Sequence, residues 1–169
     1  MFNITQVNKL SDIQQIESIA KIVFHEIYDA YTPVEFVEEF ITKNQSVEAI
    51  QSQIENDNYQ YFLLKISGTV SGYLGIQTKE NTLVLSKLYI LKEYRGQNIG
   101  QKTLEFINQY AVNNEIEAIE LEVSKENEKA IRFYKDDGFQ YIKTITSYHY
   151  DGREVKDFFM RKNVVIKSI

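Results

Sequence analysis

Two short stretches carry residue types whose spacing suits chemistry. The first is Arg95-Gly96-Gln97-Asn98-Ile99-Gly100, between the apolar run Leu83 to Leu91 and a periodic segment through Leu104, Ile107 and Ala111. A strand, a loop and a helix in that order put the loop at a helix N-terminus. The first N–H groups there have no intrahelical acceptor and the helix dipole is positive, so the place suits an anion such as phosphate. Gly96 and Gly100 let backbone approach a ligand with no side chain between, and asparagine, as at Asn98, tolerates left-handed backbone. The same residues also suit a plain tight turn. No Gly-Lys-Ser/Thr follows, which excludes a Walker loop, and the Gly-x-Gly-x-x-Gly spacing of a dinucleotide site is absent.

The second stretch runs from Leu121-Glu122-Val123-Ser124 through Asn127-Glu128-Lys129-Ala130-Ile131-Arg132-Phe133-Tyr134 to Gly138-Phe139. Asn127 is a helix N-cap candidate and Gly138 a helix terminator. Ala130, Phe133 and Tyr134 recur at three- and four-residue spacings and so share one helix face. A tyrosine there is a buried aromatic with a satisfied hydroxyl or a proton donor.

Other chemistries are excluded by composition. The chain has no cysteine and only two histidines, His25 and His149, which removes thiolate catalysis and argues against a metal centre. Its formal net charge of −5, without clustered Lys and Arg, gives no footprint for nucleic acid. An acidic surface instead favours cationic small molecules. No segment reaches the roughly 20 apolar residues of a membrane span. Met1-Phe2-Asn3-Ile4-Thr5 lacks the basic start of a signal peptide, so a cytoplasmic location is expected.

These stretches need elements to position them, and 169 residues suffice for one domain, expected over residues 1–169. Phe2 to Val7 reads as a strand. Ser11-Asp12 reads as the cap of a helix with Ile13, Ile16, Ile19, Ala20 and Val23 on one face. After a break at Tyr28 to Thr32, Thr32-Pro33-Val34-Glu35 reads as a helix start with proline first and a glutamate completing a capping box. A short helix over Ser46 to Glu55 fits next. Tyr59–Ile66 and Val70–Gln77 form a hairpin about Ser67-Gly68. Strands follow at Leu83–Leu91, Ile116–Val123, Phe139–Tyr150 and Val155–Arg161, with a helix over Asn127–Asp136. Three antiparallel strands followed by a strand–helix–strand crossover predict an α+β fold, a mixed, mostly antiparallel central sheet flanked by helices.

Taken together, the two stretches resemble the signatures of the Gcn5-related N-acetyltransferase (GNAT) family. Ile90, Tyr94, Arg95, Gly96, Ile99 and Gly100 match the first, where Lys92 replaces the usual proline and Asn98 the central glycine. The Asn127-x-x-Ala130-x-x-Phe133-Tyr134 helix and Gly138-Phe139 match the second. The match is strong over Leu83–Phe139 and loose over Asp157-Phe158-Phe159-Met160-Arg161. The resemblance implies acetyl-CoA as cosubstrate, without a metal. Amides from Arg95 through Gly96, Gln97, Asn98, Ile99, Gly100 and Gln101 would hold the pyrophosphate. Backbone groups of Leu88, Tyr89 and Ile90 would pair with the pantetheine arm. Asn127 would join the coenzyme site, and Tyr134 would give a proton to the departing sulfur.

The same resemblance leaves the base open. Many members carry a glutamate where this chain has Val84; Glu26 or Glu80 through water, or bulk water, are the alternatives. Glu26, Tyr28 and Tyr31 lie where the family forms its acceptor wall and suit a cationic amine by charge and cation–π contact. The N-terminal layout, with Gly72-Tyr73-Leu74-Gly75, looks like bacterial spermidine/spermine N-acetyltransferases. A protein N-terminus, another small amine, or coenzyme binding without turnover are the competing readings. Dimerisation through edge or C-terminal strands is compatible with the sequence.

Overall fold

The computed structural model describes all residues except 31, 150 and 167–169. Seven strands form one sheet in the order β1-β2-β3-β4-β5-β7-β6. They are β1 (Phe2–Gln6), β2 (Tyr59–Ile66), β3 (Thr69–Lys79), β4 (Thr82–Ile90), β5 (Ala118–Ser124), β6 (Gln140–Tyr148) and β7 (Glu154–Asn163). The helices are α1 (Leu10–Tyr28), α2 (Val34–Gln45), α3 (Val47–Asn56), α4 (Ile99–Asn113) and α5 (Glu128–Asp136). The chain divides into two compact units, residues 1–77 with 87–103 and residues 78–86 with 104–169. No described helix is long and apolar enough to cross a membrane.

In the first unit β1 pairs antiparallel with β2, and β2 with β3. The β2–β3 turn forms as Ser67-Gly68 dictates, with φ of 47° and 83°, the left-handed pair that matches strand twist. Ser71 makes an extra residue in β3 where the register shifts opposite Leu64 and Lys65. Its hydroxyl donates to the Leu64 carbonyl at 3.0 Å and its own carbonyl accepts from Leu91 N–H at 2.8 Å. A Cβ on the adjacent Gly72 would stand 2.2 Å from the Tyr89 carbonyl oxygen, so only glycine fits this approach of β3 to β4.

Helix α1 buries the expected face, Ile13, Ile16, Ile19, Ala20 and Val23, together with Phe24. Two helix starts differ from the sequence reading. Lys9, not Ser11-Asp12, caps α1; Asp12 instead lies in the first turn and reaches back to the Asn8 N–H at 3.2 Å. Pro33 is the N-cap of α2 with ψ of 138°, not its first helical residue, and no side chain completes a capping box there. The short helix fitted to Ser46–Glu55 is α3, where the Ser46 hydroxyl accepts from Ala49 N–H at 3.1 Å. An aromatic series runs through this core. Tyr59, Tyr61, Tyr73, Tyr89 and Phe24 follow one another with ring centroids 5.1–6.3 Å apart. The Tyr73 hydroxyl donates to Gln45 Oε1, and Gln45 Nε2 to the Tyr61 hydroxyl at 3.2 Å, so these buried polar ends are satisfied.

In the second unit β4 and β5 run parallel, which requires the α4 crossover, but they pair only at Thr82↔Ala118, Leu83↔Ile119 and Val84↔Glu120. β5 pairs antiparallel with β7 along its whole length, Ala118–Ser124 against Asp157–Asn163, and β7 pairs with β6 on its other side. β7 thus inserts between two strands consecutive in sequence. Strand Phe139–Tyr150 is shorter than read, ending at Tyr148; Tyr150 lies outside the described residues.

Candidate active site

The loop before α4 is open in its backbone. Arg95 N–H donates to the Lys92 carbonyl at 3.2 Å and closes a 3-10 turn over Lys92–Tyr94. From Gly96 to Gln101, six consecutive amides have no acceptor among the described residues. Asn98 then begins α4, its carbonyl taking the Lys102 N–H at 3.0 Å. Gly96 has φ of 79° and Asn98 φ of 59°, the left-handed conformations their types allow. Nothing lies within 4 Å of where a Gly96 Cβ would stand. Six outward amides at a helix N-terminus are an anion cradle. The Arg95 amide, read from the sequence as part of that set, is not, because Lys92 already holds it.

The Arg95 side chain turns away from such an anion. Its Nε donates to the Ile90 carbonyl at 3.0 Å and its guanidinium meets Glu26 of α1 at 2.5 Å. Glu26 is thereby tied to the loop through one carboxylate oxygen. Tyr28 is half-buried beside Phe24, their rings 5.8 Å apart. Tyr31 lies outside the described residues.

Of the three β4 residues assigned to the pantetheine arm, Tyr89 is misassigned. Its carbonyl lies against Gly72 of β3 and its ring joins Phe24 and Tyr73. By strand alternation Leu88 and Ile90 direct their backbone groups to the opposite edge. β5 pairs with that edge no further than Val84.

In the second unit, β5 leads into α5 through a closed turn. Asn127 caps α5, its Oδ1 accepting from Ala130 N–H at 3.1 Å, while its own N–H donates to the Ser124 carbonyl at 2.9 Å. Tyr134 packs its ring between Phe133 at 5.3 Å and Phe139 at 5.7 Å. Burial pushes its hydroxyl up to about 12. No hydrogen bond joins that hydroxyl to another described residue, and the residue as a whole is half-buried.

Val84 stands in register with Glu120, whose carboxylate is bound by Arg161 of β7. The carboxylate in register with Val84 is therefore already engaged. Glu80 lies in the β3–β4 turn with φ of 52°, at the other end of β4 from Leu88. The Arg95–Glu26 tie had no signal in local spacing, since its partners stand 69 residues apart.

A match to the acetyltransferase (GNAT) family covers residues 23–139. An N-alpha-acetyltransferase of Sulfurisphaera tokodaii is 25% identical over 86% of this chain and 85% of its own length. The PaiA N-acetyltransferase of Thermoplasma acidophilum, solved in complex with coenzyme A, superposes with a TM-score of 0.80 at 22% identity over 96% of this chain and 99% of its own. A spermidine N-acetyltransferase chimera from Vibrio cholerae and hSSAT superposes with a TM-score of 0.69 at 16% identity, covering 96% of this chain and 94% of that one. With its mixed, mostly antiparallel sheet and a family match over most of its length, the chain belongs to the GNAT family of N-acetyltransferases.

Proposed function

We propose that this chain transfers the acetyl group of acetyl-CoA to a primary amine with both substrates bound at once, and that the amine is a polyamine such as spermidine or spermine. The observation that carries the coenzyme reading is the run of free amides from Gly96 to Gln101 at the start of α4. In this reading they hold the pyrophosphate, and the edge groups of Leu88 and Ile90 pair with the pantetheine amides as an added strand would.

Aminolysis needs a neutral amine, and a lysine-like amine of pKa near 10.4 is neutral only about once in 2,500 molecules at pH 7. It also needs a proton for the departing sulfur. Tyr134 stays protonated throughout the physiological range, because its pKa is pushed up to about 12. A thiol titrates near 8.5, so giving that proton to a thiolate is uphill on its own. Tyr134 therefore hydrogen-bonds the sulfur as charge develops and transfers its proton as the acylated nitrogen sheds one.

The polyamine reading is supported by the acidic balance of the chain, with a net charge of −5, and by the spermidine enzyme among its structural relatives. A protein N-terminus is the second reading, favoured by the N-alpha-acetyltransferase relative that covers most of the chain. Free-thiol release from acetyl-CoA with spermidine, spermine, putrescine and a set of N-terminal peptides separates them. Turnover on the polyamines and not the peptides is the expected result. Coenzyme binding with no turnover on either panel would replace transfer with a sensing role.

A further inference from the structure

The side chain of Arg95 holds two groups at once. Its Nε donates to the Ile90 carbonyl at 3.0 Å, and its guanidinium meets Glu26 Oε1 at 2.5 Å. Both partners lie in the same compact unit as the open amides, residues 1–77 with 87–103. Arg95 stands directly before Gly96, where those six amides begin, and Lys102 directly after Gln101, where they end. Both flanking cations are directed elsewhere, since Lys102 Nζ rests over the Phe2 ring, 5.7 Å from its centroid. The amides thus offer an anion backbone dipoles, while the nearest guanidinium, one residue away, lies on a carboxylate.

The hold on Glu26 is weak. The Arg95 and Glu26 side chains are 41% and 31% exposed, and one carboxylate oxygen takes part. Water screens such a pair, so it contributes little. On a phosphate the same guanidinium makes a charge-assisted, bidentate contact with a larger charge, beside amides that already raise the local potential. The Ile90 carbonyl points to the same exchange. It is one of the groups that pair with the pantetheine arm on the coenzyme reading, and Arg95 Nε already lies on it. A pantetheine N–H arriving there replaces one donor with another, so the carbonyl loses no hydrogen bond. Glu26 itself sits in the last turn of α1, which His25 ties to Glu38 of α2 at 2.6 Å. The arginine is therefore the partner that moves.

Resting on the coenzyme reading above, we propose that Arg95 is a latch with two positions and that Glu26 is the internal competitor of phosphate for it. In one position the guanidinium lies on Glu26 and Nε covers the Ile90 carbonyl. In the other the pantetheine arm takes that carbonyl and the guanidinium bonds the pyrophosphate. Glu26 thereby lowers coenzyme affinity, and it does so only through Arg95.

The test measures acetyl-CoA affinity by calorimetry for wild type, Glu26→Gln, Arg95→Gln and the double variant, with melting curves to confirm folding. Glu26→Gln should bind about two- to fivefold more tightly, the range that loss of an exposed ion pair allows. Arg95→Gln should bind about tenfold more weakly, through the lost charge-assisted contact. The double variant should match Arg95→Gln, because Glu26 acts only through the arginine. Glu26→Ala, which also removes the carboxylate, should shift affinity in the same direction as Glu26→Gln. A pair that merely braces the loop gives the opposite sign, with both single variants weakened. In a chain that binds acetyl-CoA, Glu26→Gln no tighter than wild type overturns this inference alone. So does Arg95→Gln as tight as wild type, or a gain from Glu26→Gln that persists without Arg95, which is general repulsion between Glu26 and phosphate. A wild type that does not bind acetyl-CoA overturns the coenzyme reading and this inference with it.

Discussion

The chain makes the passage from strand to helix twice, and the two turns are finished differently. Before α4 the turn leaves the amides of Gly96 to Gln101 without acceptors and spends its one large cation, Arg95, on Ile90 and Glu26 behind it. Before α5 the turn is closed, with Asn127 capping the helix and tied to Ser124. One N-terminus is left open, as the proposed coenzyme site requires. The other is sealed so that the helix can hold one side chain, Tyr134, in place. On the proposed reading the same local topology serves binding in one case and positioning in the other, and hydrogen-bond satisfaction tells the two turns apart.

The comparison breaks most sharply at Tyr134. Tyr134→Phe should lower kcat by about 10²–10³-fold while acetyl-CoA binding, followed by calorimetry, stays within a few-fold. With the hydroxyl at about 12, the wild-type rate should show no falling limb from this group between pH 7 and 10. At the open turn the signature is reversed. Gly96→Val places a β-branched residue at φ of 79°, where it costs roughly 1–3 kcal/mol, and puts a side chain where the ligand backbone would approach. Coenzyme affinity should fall at least tenfold, whereas kcat at saturating coenzyme should fall much less. At the closed turn, Asn127→Ala should cost about 1 kcal/mol of unfolding free energy in urea titration through the lost cap. An Asn127→Ala variant of unchanged stability would show that the cap bond is ornamental.

The smallest effect belongs to the α1–α2 pair. His25 Nδ1 meets Asp29 at 2.8 Å and Nε2 meets Glu38 at 2.6 Å, and these carboxylates raise its pKa, Asp29 most, against the opposing effect of burial. A raised histidine contributes stability that is fully present below its unfolded pKa near 6.5 and is lost as pH rises through the folded value. His25→Gln should therefore destabilise at pH 6 more than at pH 8.5, by about 0.5 kcal/mol or less because the site is exposed. Melting curves at the two pH values measure it.

Local chemistry was legible in the sequence and long-range pairing was not. Residue types alone indicated a loop with left-handed backbone at Asn98, a cap at Asn127 and a turn at Ser67-Gly68, because each depends on its own φ or on a neighbour a few residues away. The Arg95–Glu26 tie and the insertion of β7 between β5 and β6 depend on residues far apart, and nothing in local spacing encodes them. Tyr89 was misread for a related reason. Which edge a strand residue faces is set by its neighbour, and here Gly72 admits the Tyr89 carbonyl. Pro33 was placed one residue too deep in α2, because its fixed φ, here −54°, is compatible with either position and only its ψ of 138° marks it as the cap.

The aromatic series through the first unit also determines how the protein will look to light. With 12 tyrosines and no tryptophan, emission comes from phenol rings alone, and rings 5–6 Å apart exchange excitation readily. Tyr61 and Tyr73 are held in the phenol form by burial, so alkaline titration should leave them silent until the chain unfolds. A single tryptophan introduced at Phe40, whose ring lies 5.4 Å from Phe24, would collect that energy and report the state of α2 against a dark background.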